Sequence, residues 1–133
     1  MIACLFCQPH SPTNRRIYQH GTAYARHDNY PAAHGHVEVV PLRHVVSVVD
    51  LTPTEWTDIH TLIRTVMADG DADGWTIGIN EGPAAGRTID HVHVHLIPRR
   101  WGDVDDPRGG VRHVLPGTDC DAWVVPEQGG ATP

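Results

Sequence analysis

Three histidines at alternate positions, His91, His93 and His95, are the residues in this chain best suited to chemistry. Val92 and Val94 separate them, and Leu96-Ile97-Pro98 follows. A period of two is the β-strand pattern, so the imidazoles share one face and Val92, Val94 and Leu96 the other. With a rise of about 3.3 Å per residue, neighbouring imidazoles stand roughly 6.6 Å apart, enough to grip different parts of one phosphate-sized group. An imidazole has an ordinary pKa of about 6.5, so near pH 7 it is neutral and still nucleophilic. It can therefore attack phosphorus without the repulsion an anionic nucleophile meets. The phospho-imidazole that results splits one difficult displacement into two easier ones. Flanking imidazoles on the same face can donate to the non-bridging oxygens or to the departing group. No metal is needed for that step. The competing reading is a half-buried strand with a wet polar face, which leaves the choice of histidine unexplained.

A second cluster opens the chain. Cys4-Leu5-Phe6-Cys7 carries half the ligands of a tetrahedral zinc site. No second Cys-x-x-Cys follows, so the other two ligands would have to be histidines; the alternative is a pair of small buried thiols. Cys120 stands alone. The first residues lack a basic region followed by an apolar core, so no signal peptide is expected. An odd cysteine count without an export signal points to reduced thiols and a cytoplasmic protein.

The elements that must position these groups can be read in order. Ile17–Gln19 and Thr22–Ala25 flank His20-Gly21 as a hairpin. Asp28-Asn29-Tyr30-Pro31 reads as a turn, and His36–Pro41 as a strand closed by proline. Thr52-Pro53-Thr54-Glu55 is a capping box with proline at the first helical position. Trp56, Ile59, Leu62, Ile63, Val66 and Met67 then recur at helical spacing, and the helix should stop near Asp69-Gly70. Trp75–Asn80 reads as a strand. Residues 81–88 form a loop of small residues whose backbone amides can approach an anion. Residues 99–110 are charged and glycine-rich, hence irregular; Val111–Leu115 is expected to be a short extended piece, and Gln128–Pro133 to fray.

The whole is 133 residues, 40% apolar and 20% charged, which suits one globular domain with a real core. A formal charge of −6 argues against non-specific nucleic-acid binding. No apolar run reaches the ~18–20 residues of a membrane span.

Residues 91–97 match the pattern His-φ-His-φ-His-φ-φ, with φ apolar. Together with Gly35–His44, Asn80–Gly86 and Pro98–Asp103, they resemble the histidine triad (HIT) superfamily. The last block is more similar to the Fhit-type dinucleoside polyphosphate hydrolases than to the Hint branch. The match runs from Cys4 to about Gly110, so residues 1–110 are taken as the domain and 111–133 as its C-terminal extension. The resemblance implies an α+β fold, an antiparallel meander sheet with one long packed helix, and a homodimer. It implies that His93 is the nucleophile through Nε2, with the His91 carbonyl fixing its tautomer. His95 would contact the phosphate and leaving group, and His36 would support the phosphate side. Asn80, the Gly86 amide and the Thr88 hydroxyl would hold phosphate oxygens, Asp28 the ribose, and Leu5 and Phe6 the base. Zinc-bearing relatives pair Cys-x-x-Cys with two histidines that map to His44 and His91. A structural zinc on Cys4, Cys7, His44 and His91 is therefore expected, bracing the catalytic strand without entering the chemistry.

Departures from the family pattern are informative. Arg87 stands where glutamine is usual and could bind a second phosphate or a carboxylate. His34 replaces a common proline and Leu42 a common lysine; both are expected to be neutral or to tune the site. The segment 106–112 is more elaborate than usual and is read as a surface loop. The expected activity is cleavage of a nucleoside phosphoanhydride, ester or phosphoramidate through a nucleotidyl-histidine, releasing AMP. Alternatives are a nucleotidyltransferase or phosphorylase using the same intermediate, or a nucleotide-binding protein without turnover.

Overall fold

The computed structural model describes residues 3–117, so Cys120 and the terminal residues expected to fray lie outside the described part. The chain packs as two units, one ending at Asp103 and the other beginning at Val104. In the first, strands β1 (Arg16–His20), β2 (Ala23–His27), β3 (Val37–Pro41), β4 (Gly74–Gly78) and β5 (Val94–Arg99) form one antiparallel sheet with helix α1 (Pro53–Asp69). Strand order is β1-β2-β3-β5-β4. The first three strands run as a meander. The long connection through α1 then skips a place, and β5 fills the gap between β3 and β4.

Helix α1 starts where its cap dictates. The Glu55 amide donates to Thr52 Oγ1 at 3.1 Å, and the Thr52 amide donates to the Glu55 carboxylate at 2.9 Å. Ile59, Leu62 and Val66 are buried against Ala23, Ala25, Val37, Val39, Val94 and Leu96. Trp56 and Met67, expected in the same stripe, are 43% and 39% exposed. At 3.6 residues per turn they lie roughly 60° and 80° round the helix from Ile59, at the margin of the buried face. Asp58 ties the helix to the β1–β2 turn by accepting from the Thr22 amide at 2.8 Å and the Thr22 hydroxyl at 2.7 Å.

The histidine segment departs from a simple strand. Ladder pairing begins only at Val94, so His91 and His93 precede β5. There the Val92 amide bonds to the Val45 carbonyl at 2.8 Å, and the His91 amide to Ile89. The alternation survives without the ladder: Val92, Val94 and Leu96 enter the core under α1. Likewise β4 stops at Gly78, which frees Ile79 and Asn80 from the expected strand.

In the second unit the expected extended piece is instead a 3-10 turn over Gly110–Val114. Gly109 enters it with φ of 86°, and the Arg112 amide closes back on the Gly109 carbonyl at 2.7 Å.

Candidate active site

The sheet face away from α1 carries a smaller apolar cluster of Phe6, Tyr24 and Val40. The N-terminal segment is pinned onto it. Tyr24 Oη donates to the Phe6 carbonyl at 2.7 Å, and Asn14 Nδ2 donates to the carbonyls of Leu5 and Gln8, each at 3.0 Å. A 3-10 turn over Leu5–Cys7 then sets Cys4 and Cys7 beside His44 and His91.

The ligand atoms of these four residues all lie within 4.8 Å of one another. His91 Nδ1 is 3.5 Å from both sulfurs, and His44 Nδ1 is 3.2 Å from Cys7 Sγ. A tetrahedral zinc with Zn–S of about 2.3 Å and Zn–N of about 2.0–2.1 Å separates sulfur from nitrogen by roughly 3.6 Å. His91 Nε2 donates to the Pro41 carbonyl at 2.8 Å, which leaves the Nδ1 lone pair directed at the thiols. The donor set and its spacing fit zinc.

The same reasoning fixes the other imidazoles, because a neutral ring carries one proton. His93 Nδ1 donates to the His91 carbonyl at 2.8 Å, so its lone pair is on Nε2. His36 Nδ1 accepts from the Ala32 amide at 2.9 Å, so its proton is on Nε2, 2.9 Å from His95 Nδ1. His95 Nδ1 is then an acceptor, and His95 Nε2–H is a donor. The His93 and His95 rings stand edge to face with centroids 5.0 Å apart, closer than an ideal strand predicts. Burial holds the pKa values of His36 and His93 below the usual histidine range. Burial, aided by His93 and His36, pushes His95 down to about 4. All three are neutral at pH 7, with a nucleophilic nitrogen on His93 and a hydrogen-bond donor on His95.

A cavity of about 280 Å³ lies over these rings. His36, His93, His95, Asp28, Asn80, Gly86 and Thr88 line it, and Leu5, Phe6 and Ile89 supply apolar wall. Two expected site residues are absent from the cavity lining. His91 faces the thiols and reaches His93 only through its carbonyl. Arg87 is outside the lining: it binds Asp90 at 3.0 Å, approaches Glu81 at 3.9 Å and donates to the Val46 carbonyl at 3.3 Å. Carboxylates on its own loop therefore occupy the guanidinium that was expected to meet substrate. Asp28, expected to hold ribose, has Oδ2 3.3 Å from His36 Nε2 and 3.6 Å from His95 Nδ1.

Of the lining residues, sequence reasoning missed Asn29, Tyr30, Ile89 and two buried charged ones, Arg26 and Glu38. Those two are cross-strand partners on β2 and β3 and form a buried ion pair. The signal was available: Glu38 follows His36 by two, which on an extended segment puts both on one face.

The HIT domain sequence model matches residues 10–102. The chain belongs to the HIT family. Among HIT relatives, an asymmetrical bis(5'-nucleosyl)-tetraphosphatase of Schizosaccharomyces pombe is 44% identical over 80 residues, covering 57% of this chain and 44% of that protein. An AP-4-A phosphorylase of Mycobacterium tuberculosis is 36% identical over 87 residues, covering 62% of this chain and 45% of that protein. Each match thus spans less than half the length of the relative. A zinc-bound histidine triad protein of Mycobacterium smegmatis superposes with a TM-score of 0.66 at 34% identity, covering 76% of this chain and 78% of that one.

Proposed function

We propose that this HIT protein cleaves a nucleoside phosphoanhydride, a dinucleoside polyphosphate by preference, through a nucleotidyl-histidine on His93, and releases AMP. The observation that carries the reading is the tautomer arrangement. His93 Nε2 has a free lone pair, held by the 2.8 Å bond to the His91 carbonyl. Attack forms the Nε2–P bond and breaks the bond from phosphorus to the bridging oxygen. The ring becomes cationic, and the His91 carbonyl keeps its Nδ1 proton. Water then attacks phosphorus and loses a proton to solvent; the Nε2–P bond breaks, its electron pair returns to the ring, and AMP leaves a neutral His93.

The leaving group follows from His95. With its pKa at about 4, His95 is neutral and can donate a hydrogen bond but not readily a proton. A departing polyphosphate leaves as an anion and needs only hydrogen bonds. A departing amine needs a proton. This supports the anhydride over the phosphoramidate. Asn80, Thr88 and the Gly86 amide are proposed to hold phosphate oxygens, His36 to fix His95, and Asp28 to bind ribose. Leu5 and Phe6 wall the base.

Zinc on Cys4, Cys7, His44 and His91 is proposed as a structural ion. It would brace the N-terminal segment against His91, and the chemistry it supplies is mechanical. A homodimer is proposed as well, supported by the open edge of β4, where Ile77 is 40% exposed; light scattering of the purified protein tests it. A cytoplasmic location is proposed from the unpaired thiols. No described helix is long and apolar enough to cross a membrane.

Intact-protein mass spectrometry during turnover tests the mechanism. Wild type and His93→Ala are mixed with diadenosine tetraphosphate and, separately, with an AMP phosphoramidate. An adduct of one nucleotide on wild type alone, with AMP released faster from the anhydride, is expected. An adduct that turns over only when inorganic phosphate is added would favour the phosphorylase reading. Nucleotide binding without adduct or product would overturn both.

A further inference from the structure

Glu38 is a buried carboxylate that the mechanism above does not use. Only 4% of it is exposed, yet it lines the cavity. Its Oε1 is held by Arg26 Nη1, and Arg26 is in turn fixed by Nε bonds to the Asn14 carbonyl and Asn14 Oδ1, both at 2.8 Å. Arg26 Nη2 has no partner among the described residues. The carboxylate therefore has little freedom to move. Its other oxygen, Oε2, lies 3.8 Å from His93 Nε2, the atom proposed to bond phosphorus.

That distance creates a conflict. A phosphoryl group on or approaching Nε2 brings its non-bridging oxygens within reach of Oε2. Two negatively charged oxygens in a buried site repel strongly. A carboxylic acid in the same place would instead donate a hydrogen bond to the phosphoryl oxygen. We infer that Glu38 takes up a proton from solvent when nucleotide binds, and that its Oε2–H then donates to the phosphoryl oxygen carried by His93. The inference rests on the nucleotide reading of the site.

The groups facing Glu38 are Arg26 from β2, Asp28 just beyond it, His36 before β3, and His93 and His95 from the β5 segment. Arg26 favours the carboxylate; burial and Asp28 favour the acid. In the free protein the balance, led by burial, raises Glu38 to about 7. An incoming phosphate tips it further toward the acid. Because the bound form carries one extra proton, affinity is full below this value and falls as pH rises above it, roughly tenfold per pH unit.

The test uses the full chain and the methyl ester of AMP, a phosphodiester with no group titrating near neutrality and a poor leaving group. Difference infrared spectroscopy at pH 8, with and without glutamate carbon-13 labelling, reads the carbonyl stretch of a protonated carboxyl. A band that appears on binding and shifts with the glutamate label is the expected result. An unshifted band, or none despite binding, overturns the inference. No binding at all overturns the nucleotide reading and this inference with it. A second measurement compares affinity from pH 6 to 9 in wild type and Glu38→Gln, which keeps an acceptor for Arg26 and a donor for phosphate. Wild type should weaken by at least tenfold over that range and the variant by less than threefold. Parallel pH profiles would refute the inference.

Discussion

His93 and Arg87 show opposite relations between a residue's type and its surroundings. The free nitrogen of His93 depends on a single backbone carbonyl two residues away, so the His93→Ala variant should lose activity by about ten-thousandfold or more, measured as AMP release. Arg87 is the more conspicuous residue in sequence, a cation in a phosphate loop. Asp90 and Glu81 neutralise it outside the cavity. Replacing it with glutamine should change kcat/KM by less than about threefold, since the ion pairs it loses are to solvent-exposed Asp90 and Glu81 outside the cavity lining. Its chemistry was legible and its direction was not, because two carboxylates on the same loop compete for it. Arg26 and Glu38 are the reverse case. In sequence they are ordinary charged residues on strands, and only the pairing of β2 with β3 places them opposite one another inside the site.

At the scale of elements, the turn and the caps carry specific energies. Gly21 adopts φ of 52°, and a Cβ there would stand 2.4 Å from Asp58 Oδ2. Gly21→Ala should therefore cost about 2 kcal/mol or more in urea denaturation, combining backbone strain with disruption of the Asp58–Thr22 bonds. Thr52→Ala removes one capping bond of α1 and should cost about 1 kcal/mol in the same assay. The N-terminal segment makes a different prediction. Purified protein should hold one zinc per chain by elemental analysis. Chelation or Cys4→Ser should lower Tm, because folding and metal binding are coupled through ligands nearly ninety positions apart in sequence. The helix was legible because its cap and stripe are local. The start of β5 was not, since the bond from Val92 to Val45 that delays it comes from a distant segment.

For the whole molecule, burying neutral histidines sets the pH dependence of stability. His95 is lowered to about 4 in the fold, below the 6.5 of an unconstrained ring, and burial lowers His36 as well. Below pH 6.5 the unfolded chain binds protons that the fold resists. Stability is full above 6.5 and is lost as pH falls toward the folded values. Glu38, raised to about 7, works in the opposite sense over the window from about 4.5 to 7, and a single group offsets only part of the loss. The His95 contribution alone is on the order of 2 kcal/mol between pH 6.5 and 4.5. Tm should fall on acidification across that window, and the His95→Gln variant should show a shallower slope.

By itself the sequence determined the helix and pointed to the class of chemistry proposed and to the ligand types of the candidate metal site. Each of these is written in local spacing: alternate histidines, a capping box, two cysteines three apart. Tertiary structure decided which nitrogen of each histidine is free, since that depends on whether a carbonyl, an amide or another ring faces it. It also turned Arg87 out of the cavity and brought Arg26 and Glu38 in. The contacts of His95 with His36 and of Arg26 with Glu38 join different strand segments of the sheet. Residue spacing carries no record of them, because the partners meet only when the sheet is assembled.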